Sequence, residues 1–220
     1  MNAIETRQVG QYQVSVFYDE EPLNPRVDYD NFGTMVCEHR DYNLSDENHD
    51  FNSLVNVDCY YNSFSEQVDS LIKNDKVLLA LPLYLYDHSG IMMNTTGFSC
   101  NWDSGQVGII YITKEKVKKE FKVKRISKQL KEKIRTYLIN EVKMYDYYLT
   151  GNCYGYTIKD QQGEILDSCW GYLGDFDYCL KDGISTAESY IKYDIKDHLK
   201  KVKQWIKNKV NLQYRTSLNV

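Results

Sequence analysis

The sequence has no apolar run approaching the roughly 18 residues that a membrane-spanning helix needs; its longest, VLLALPLYLY from Val77 to Tyr86, is short and contains Pro82. The opening MNAIETRQVGQYQ lacks a basic segment followed by an apolar one, which argues against a secretory leader and for a cytosolic chain with no membrane partner. Six cysteines (Cys37, Cys59, Cys100, Cys153, Cys169 and Cys179) form no CxxC pair and no short metal-ligand spacing, so reduced thiols are expected. HExxH, the phosphate-cradling GxxxxGK[ST] and a GxGxxG following a strand are missing, so the commonest routes to hydrolase, ATPase and dehydrogenase lack support. DYDNFG (Asp28 to Gly33) begins like a calcium loop, but Phe32 and His39 stand where oxygen ligands belong. The expectation is no metal and no cofactor.

What the chain does have is tyrosine, 20 in 220 residues, an amphipathic ring suited both to strand faces and to recognition surfaces. Hydrophobic content of 42% and a net charge of −4 place the chain among ordinary globular proteins, large enough to bury a real core. The charge is unevenly spread. Met1 to Tyr60 carries twelve acids against three arginines, whereas Thr113 to Lys143 carries twelve lysines and arginines against four glutamates. Lys192 to Lys209 adds seven lysines against two aspartates. Such poles either complement each other internally or meet a charged partner. On the second reading the interaction surface comprises Asp19, Glu20, Glu21, Asp28 and Asp30 on the acidic side, with Lys118, Lys119, Lys122, Lys124 and Arg125 on the basic side.

Periodicity predicts strands at Tyr12 to Tyr18, Gly33 to Glu38, Val77 to Tyr86, Ile91 to Thr95 and Val107 to Thr113, the third and fifth buried on both faces. Ser63 with Glu66 reads as a capping box opening a short helix. Apolar residues at Ile126, Leu130, Ile134, Leu138, Val142, Tyr145 and Leu149 predict a helix over Ser127 to Thr150, stopped by Gly151. A hairpin follows, Tyr154 to Lys159 and Glu164 to Trp170. Ser185 with Glu188 then reads as a second capping box, launching a last helix through Ile191, Ile195, Leu199, Val202, Ile206 and Val210. Strands first and helices later predict an α+β class: one antiparallel or mixed sheet with helices on one side, in a single domain over 1–220, acidic and strand-rich to about 113 and basic and helix-rich beyond.

Three segments beside strand ends share a vocabulary: YDHSG (Tyr86 to Gly90), CNWDSG (Cys100 to Gly105) and DSCWGYLGD (Asp167 to Asp175). If these turns converge, His88, Cys100 and Asp103 are the catalytic candidates, with Asp87, Trp102, Asp167, Cys169 and Trp170 lining the pocket. The structural alternative makes CNWDSG a rigid corner, with Trp102 anchored in the core and Asp103 and Ser104 tying down backbone amides. A cysteine and histidine pair further needs an activated thiol and a placed partner, which spacing does not show.

LPLYLYDHSGI, FSCNWDSGQVGIIYITKEKVKKEF, EVKMYDYYLTGNCYGYTI and DSCWGYLGD together resemble a family of uncharacterised proteins carried by phages, prophages and conjugative elements of Gram-positive-type bacteria. The resemblance spans Val77 to Asp175, with WDSGQVG and DSCWG its most specific words. It implies an accessory gene of a mobile element, expressed in the bacterial cytoplasm, and carries over no catalytic residue. From that setting the leading expectation is a protein that binds and inhibits a host defence enzyme, of the CRISPR or restriction type, through a charged, Tyr-rich surface. An enzyme or small-ligand binder built on the three turns stands second. Direct nucleic-acid binding through Lys114 to Arg135 stands third, because lysines on an amphipathic helix usually form its solvated face.

Overall fold

The computed structural model describes residues 2–46, 66, 70, 71, 73, 76–100 and 102–209. The Ser63 and Glu66 capping box and Cys59 therefore lie wholly or partly outside the described residues. The chain is α+β, and among the described residues the strands form two four-stranded antiparallel sheets rather than one. It divides into two compact units: both chain ends, 1–20 with 153–220, form one, and the stretch 21–152 forms the other. The change from acidic to basic sequence near residue 113 falls inside the second unit, between a strand and the helix that follows it.

In the terminal unit β1 (Glu5–Val9) and β2 (Tyr12–Tyr18) form a hairpin, and β2 pairs with β7 (Cys153–Lys159), which pairs with β8 (Ile165–Leu173), giving the order β1-β2-β7-β8. A 34-residue helix, α3 (Phe176–Lys209), packs on β2 and β7. Its contact face is small by design of the sequence: Cys179, Gly183 and Ala187 recur at four-residue spacing and are buried. A β-carbon at Gly183 would lie 2.8 Å from Val14 Cγ1, so glycine there sets how closely the helix approaches the sheet. Tyr12, Val14, Val16, Tyr156 and Ile158 supply the sheet side of this core.

The Ser185 and Glu188 cap is overturned. The helix starts ten residues earlier, at Phe176, where the Asp175 carboxylate accepts the Tyr178 N–H at 2.9 Å, and Ser185 lies in its interior. Packing of Phe176, Cys179, Leu180 and Gly183 on the sheet outweighs a local capping signal worth about 1 kcal/mol. β1 was not predicted, because its exposed run ETRQV offers no apolar alternation.

In the central unit β3 (Thr34–Cys37), β4 (Val77–Asp87), β5 (Ile91–Asn94) and β6 (Ser104–Thr113) take the order β3-β6-β4-β5. One face of the β4–β6 pair, with Leu81, Leu83, Leu85, Ile110 and Ile112, packs in a core with Ile134, Leu138, Val142 and Tyr145 of α2 (Lys128–Leu149). Ala80, Ile109 and Tyr111 form a second cluster with Val36, Leu71 and Val77, which accounts for the continuous apolar runs of these strands. A short helix that the periodicity did not reveal, α1 (Lys114–Glu120), is capped by the Thr113 hydroxyl and buries only Val117. The predicted bounds of α2 hold. Ser127 Oγ accepts the Leu130 N–H, and at the other end Gly151, at φ 70°, and Asn152 donate to Tyr148 O and Tyr147 O in a Schellman arrangement.

A buried cation ties this unit together. Arg26, whose side chain is 2% exposed, donates to Asp46 at 2.5 Å, to Glu141 at 3.0 Å, and to Asn31 Oδ1 and the Gly33 carbonyl. Glu141 in turn accepts the N–H groups of Phe32 and Gly33. The only glutamate of α2 beyond its first two turns thus fastens the 25–34 loop to the helix. The contact runs against the bulk charges: the arginine comes from the acidic stretch and the glutamate from the basic one.

Candidate functional site

β4 ends and β6 begins side by side, with Tyr86 opposite Ser104, and this pairing brings the DHSG and CNWDSG segments together. The Asp87 N–H donates to the Asp103 carbonyl at 2.8 Å, and the β4–β5 turn closes with His88 N–H on Gly90 O and Ser89 at φ 58°. The Asp103 carboxylate collects two side chains on one oxygen: His88 Nδ1 lies 3.4 Å from Oδ2 and Cys100 Sγ 3.6 Å from the same atom. The Ser104 hydroxyl donates to the Cys100 carbonyl. Sequence reasoning assigned Asp103 and Ser104 to backbone amides; the carboxylate instead binds side chains, and the hydroxyl binds a carbonyl.

Trp102 requires a correction. It is 97% exposed, so it anchors nothing in the core. Trp102 and Asp103 lie in a bend just before β6, where no alternation dictates which way a side chain faces. Chemically, Cys100 meets an anion rather than the cationic partner that activates a nucleophilic cysteine, and His88 meets the carboxylate rather than the sulfur. Such a cluster orders two loops.

The third segment is not a turn but part of β8, an edge strand of the terminal unit. Asp167 accepts the Ser168 N–H at 2.8 Å and the Tyr190 hydroxyl at 3.3 Å, fastening the strand to α3. Cys169 is exposed and pairs with Tyr156. The Trp170 ring lies directly on Gly155 of β7, leaving no space there for a β-carbon, and its centroid is 6.2 Å from that of Phe17. Burial pushes the thiols of Cys37 and Cys179 up to about 12 and that of Cys153 to about 11, so these three remain protonated packing groups.

The charged candidates divide by role. Asp28 accepts the Asn24 N–H at 2.7 Å within its own loop, while Glu20 and Asp30 are exposed. Asp19 donates its N–H to Cys153 O. Lys118, Lys119, Lys122, Lys124 and Arg125 are all exposed on α1 and the segment after it. Among the described residues no group of three or more His, Cys, Asp or Glu is placed to hold a metal ion, and no helix is long and apolar enough to cross a membrane.

A different surface emerges on α3. The sheet holds this helix as far as Ile191 and Asp194, the latter accepting the Tyr12 hydroxyl and Gln11 Nε2. Beyond that point positions that sequence reasoning placed in a helical apolar stripe are open to solvent: Ile195 is 56% exposed, Leu199 53% and Val202 37%, and Trp205, beside that stripe, is exposed as well. A groove of about 460 Å³ between the β1–β2 turn and the helix, lined by Gly10, Ile191, Ile195 and Leu199, runs into this stripe. The stripe has the spacing of a core-facing helix and no core beneath it. The available sequence signal was its company: seven lysines within Lys192 to Lys209.

Compared with known proteins, the chain matches no family model, no curated protein and no solved structure.

Proposed function

We propose that this chain is a binding protein, acting by docking on another macromolecule through the outer half of α3 rather than through covalent chemistry. One observation carries the reading: Ile195, Leu199, Val202 and Trp205 are exposed together along a helix whose inner half is packed on its sheet. A monomer that leaves an ordered apolar stripe in water gains nothing from it until a partner covers it. The resemblance to accessory genes of mobile elements supports a host defence enzyme, of the CRISPR or restriction type, as that partner, and blocking by occupancy as the mode of action.

A second reading, chemistry or ligand binding at the DHSG and CNWDSG corner, draws its support from the convergence of His88 and Cys100 on Asp103. Affinity capture from host lysate separates the two, with and without nuclease, using the wild-type chain, Leu199→Asp and Cys100→Ser. The docking reading expects a protein partner that survives nuclease, is retained by Cys100→Ser and is lost with Leu199→Asp. Capture that disappears with nuclease transfers the function to nucleic-acid binding. Capture indifferent to Leu199→Asp removes the α3 face.

A further inference from the structure

On a helical projection at 100° per residue, Val202, Ile195, Ile206 and Leu199 fall within about 60° of arc. Their spacing of four, three and four residues is that of alternating d and a positions in a heptad. A stripe this narrow is a coiled-coil seam, whereas a helix lying in a membrane interface needs a broad apolar face. Along one flank runs a row of lysines, Lys192, Lys196, Lys200, Lys203 and Lys207, all exposed. Apolar and basic sides together line a trough of about 610 Å³ that includes Ile195, Leu199, Lys196, Lys200 and Lys203. On the far side of the helix Lys201 is bound to Asp197 at 2.8 Å.

We infer that the outer half of α3 is the docking face for an acidic amphipathic helix of a partner protein, whose apolar residues seat on Ile195, Leu199 and Val202 and whose carboxylates meet the Lys196–Lys203 flank. The inference rests on the reading that this face is the contact surface and adds what covers it. A second copy of the chain would bring seven more lysines against two aspartates to the same place, so self-association is opposed by charge. A nucleic acid would use the lysines and leave the apolar seam in water. An acidic helix satisfies both sides at once, the seam giving affinity and the flank giving orientation and partner choice. The exposed helix from Ile195 to Lys209 is about 22 Å long, enough to seat about two heptads of a partner.

The test uses the full chain and a fluorescein-labelled 21-residue helical peptide with Leu and Ile at a and d and Glu at e and g, read by anisotropy. Controls are the same peptide with Lys at e and g, a Glu-rich peptide without the apolar repeat, and vesicles containing phosphatidylserine. Saturable binding of the acidic helix is expected, weakening as salt rises. Leu199→Asp should abolish it. The exposed double change Lys196→Glu with Lys203→Glu should weaken it at least tenfold while improving binding of the Lys peptide; circular dichroism of each variant checks that α3 is intact. The proposal is overturned if the Glu and Lys peptides bind equally, if the acidic helix does not bind, if the vesicles bind in its place, or if the chain dimerises through this face. Should the acidic helix fail while Leu199→Asp still removes a captured host protein, the docking face survives and the acidic helix alone is withdrawn.

Discussion

The hydroxyl of Tyr12 donates to the carboxylate of Asp194, and this bond marks the point on α3 where the helix passes from the sheet into solvent. Upstream of it, small residues at Cys179, Gly183 and Ala187 let the helix lie close on β2 and β7. Downstream, larger apolar residues keep the helical repeat and face water. One helix therefore does two things with one pattern: it closes a core and then presents a seam.

Removing that tie with Tyr12→Phe should cost about 1 kcal/mol of stability at neutral pH, the net worth of an ordinary hydrogen bond. The bond to Asp194, and after it burial, raises the Tyr12 hydroxyl above its ordinary value of about 10. A raised value means that the protonated form is the one the fold favours. The contribution is therefore complete below pH of about 10 and is lost as pH climbs through the folded value. Denaturant titrations of wild type and variant should differ at pH 7 and converge in strong alkali.

Arg26 carries a larger stake. Replacing it with methionine leaves Asp46 and Glu141 facing each other around a buried gap, at a cost of about 3–5 kcal/mol by analogy with broken buried ion pairs. Loss of amide protection over residues 25–34 and α2 in hydrogen exchange is the expected signature. Undiminished protection there would show that the guanidinium is dispensable.

Asp146 should behave in the opposite way. Its carboxylate accepts the Met93 N–H at 2.7 Å, yet burial pushes it above the usual carboxylate range, that hydrogen bond only partly opposing the shift. It also sits in the last turn of α2, where the helix dipole disfavours a negative charge. Asp146→Asn keeps an acceptor for Met93 and removes the charge, so it should stabilise the chain by roughly 0.5–1 kcal/mol at pH 7. Because the raised value means that ionisation is what costs stability, the gain should vanish at a pH low enough to protonate the wild-type carboxyl. Thermal melts at both pH values check this.

Trp102→Ala should leave the melting temperature nearly unchanged, within about 0.5 kcal/mol, as expected for an exposed side chain. Trp170→Ala, which uncovers Gly155 and the neighbouring Phe17, should destabilise the terminal unit by about 2 kcal/mol or more. Equal effects from the two would contradict their placement.

Much of this architecture is legible in the residues, and the failures have physical causes. α2 was readable end to end because Ser127, the spacing of Ile134, Leu138 and Val142, and Gly151 all agree. The meeting of DHSG with CNWDSG was foreseeable once β4 and β6 were both read as buried strands, since paired strands bring their ends together. The facing of Trp102 was not, because a bend has no period. Ser185 and Glu188 mimic a cap, and only the packing of Gly183 against Val14 reveals that the helix is already under way. Ile195, Leu199 and Val202 looked like core because a seam for a partner and a seam for one's own sheet are written with the same letters. Length distinguishes them: at about 51 Å, α3 outruns strands of five to nine residues.

The most direct test of the docking account places a photo-cross-linking amino acid at position 199, on the seam, and separately at position 197, on the opposite face, and irradiates the chain in its host. The account predicts a discrete protein adduct from position 199 and none from 197. Equal adducts from both positions, or an adduct from 197 alone, would contradict it.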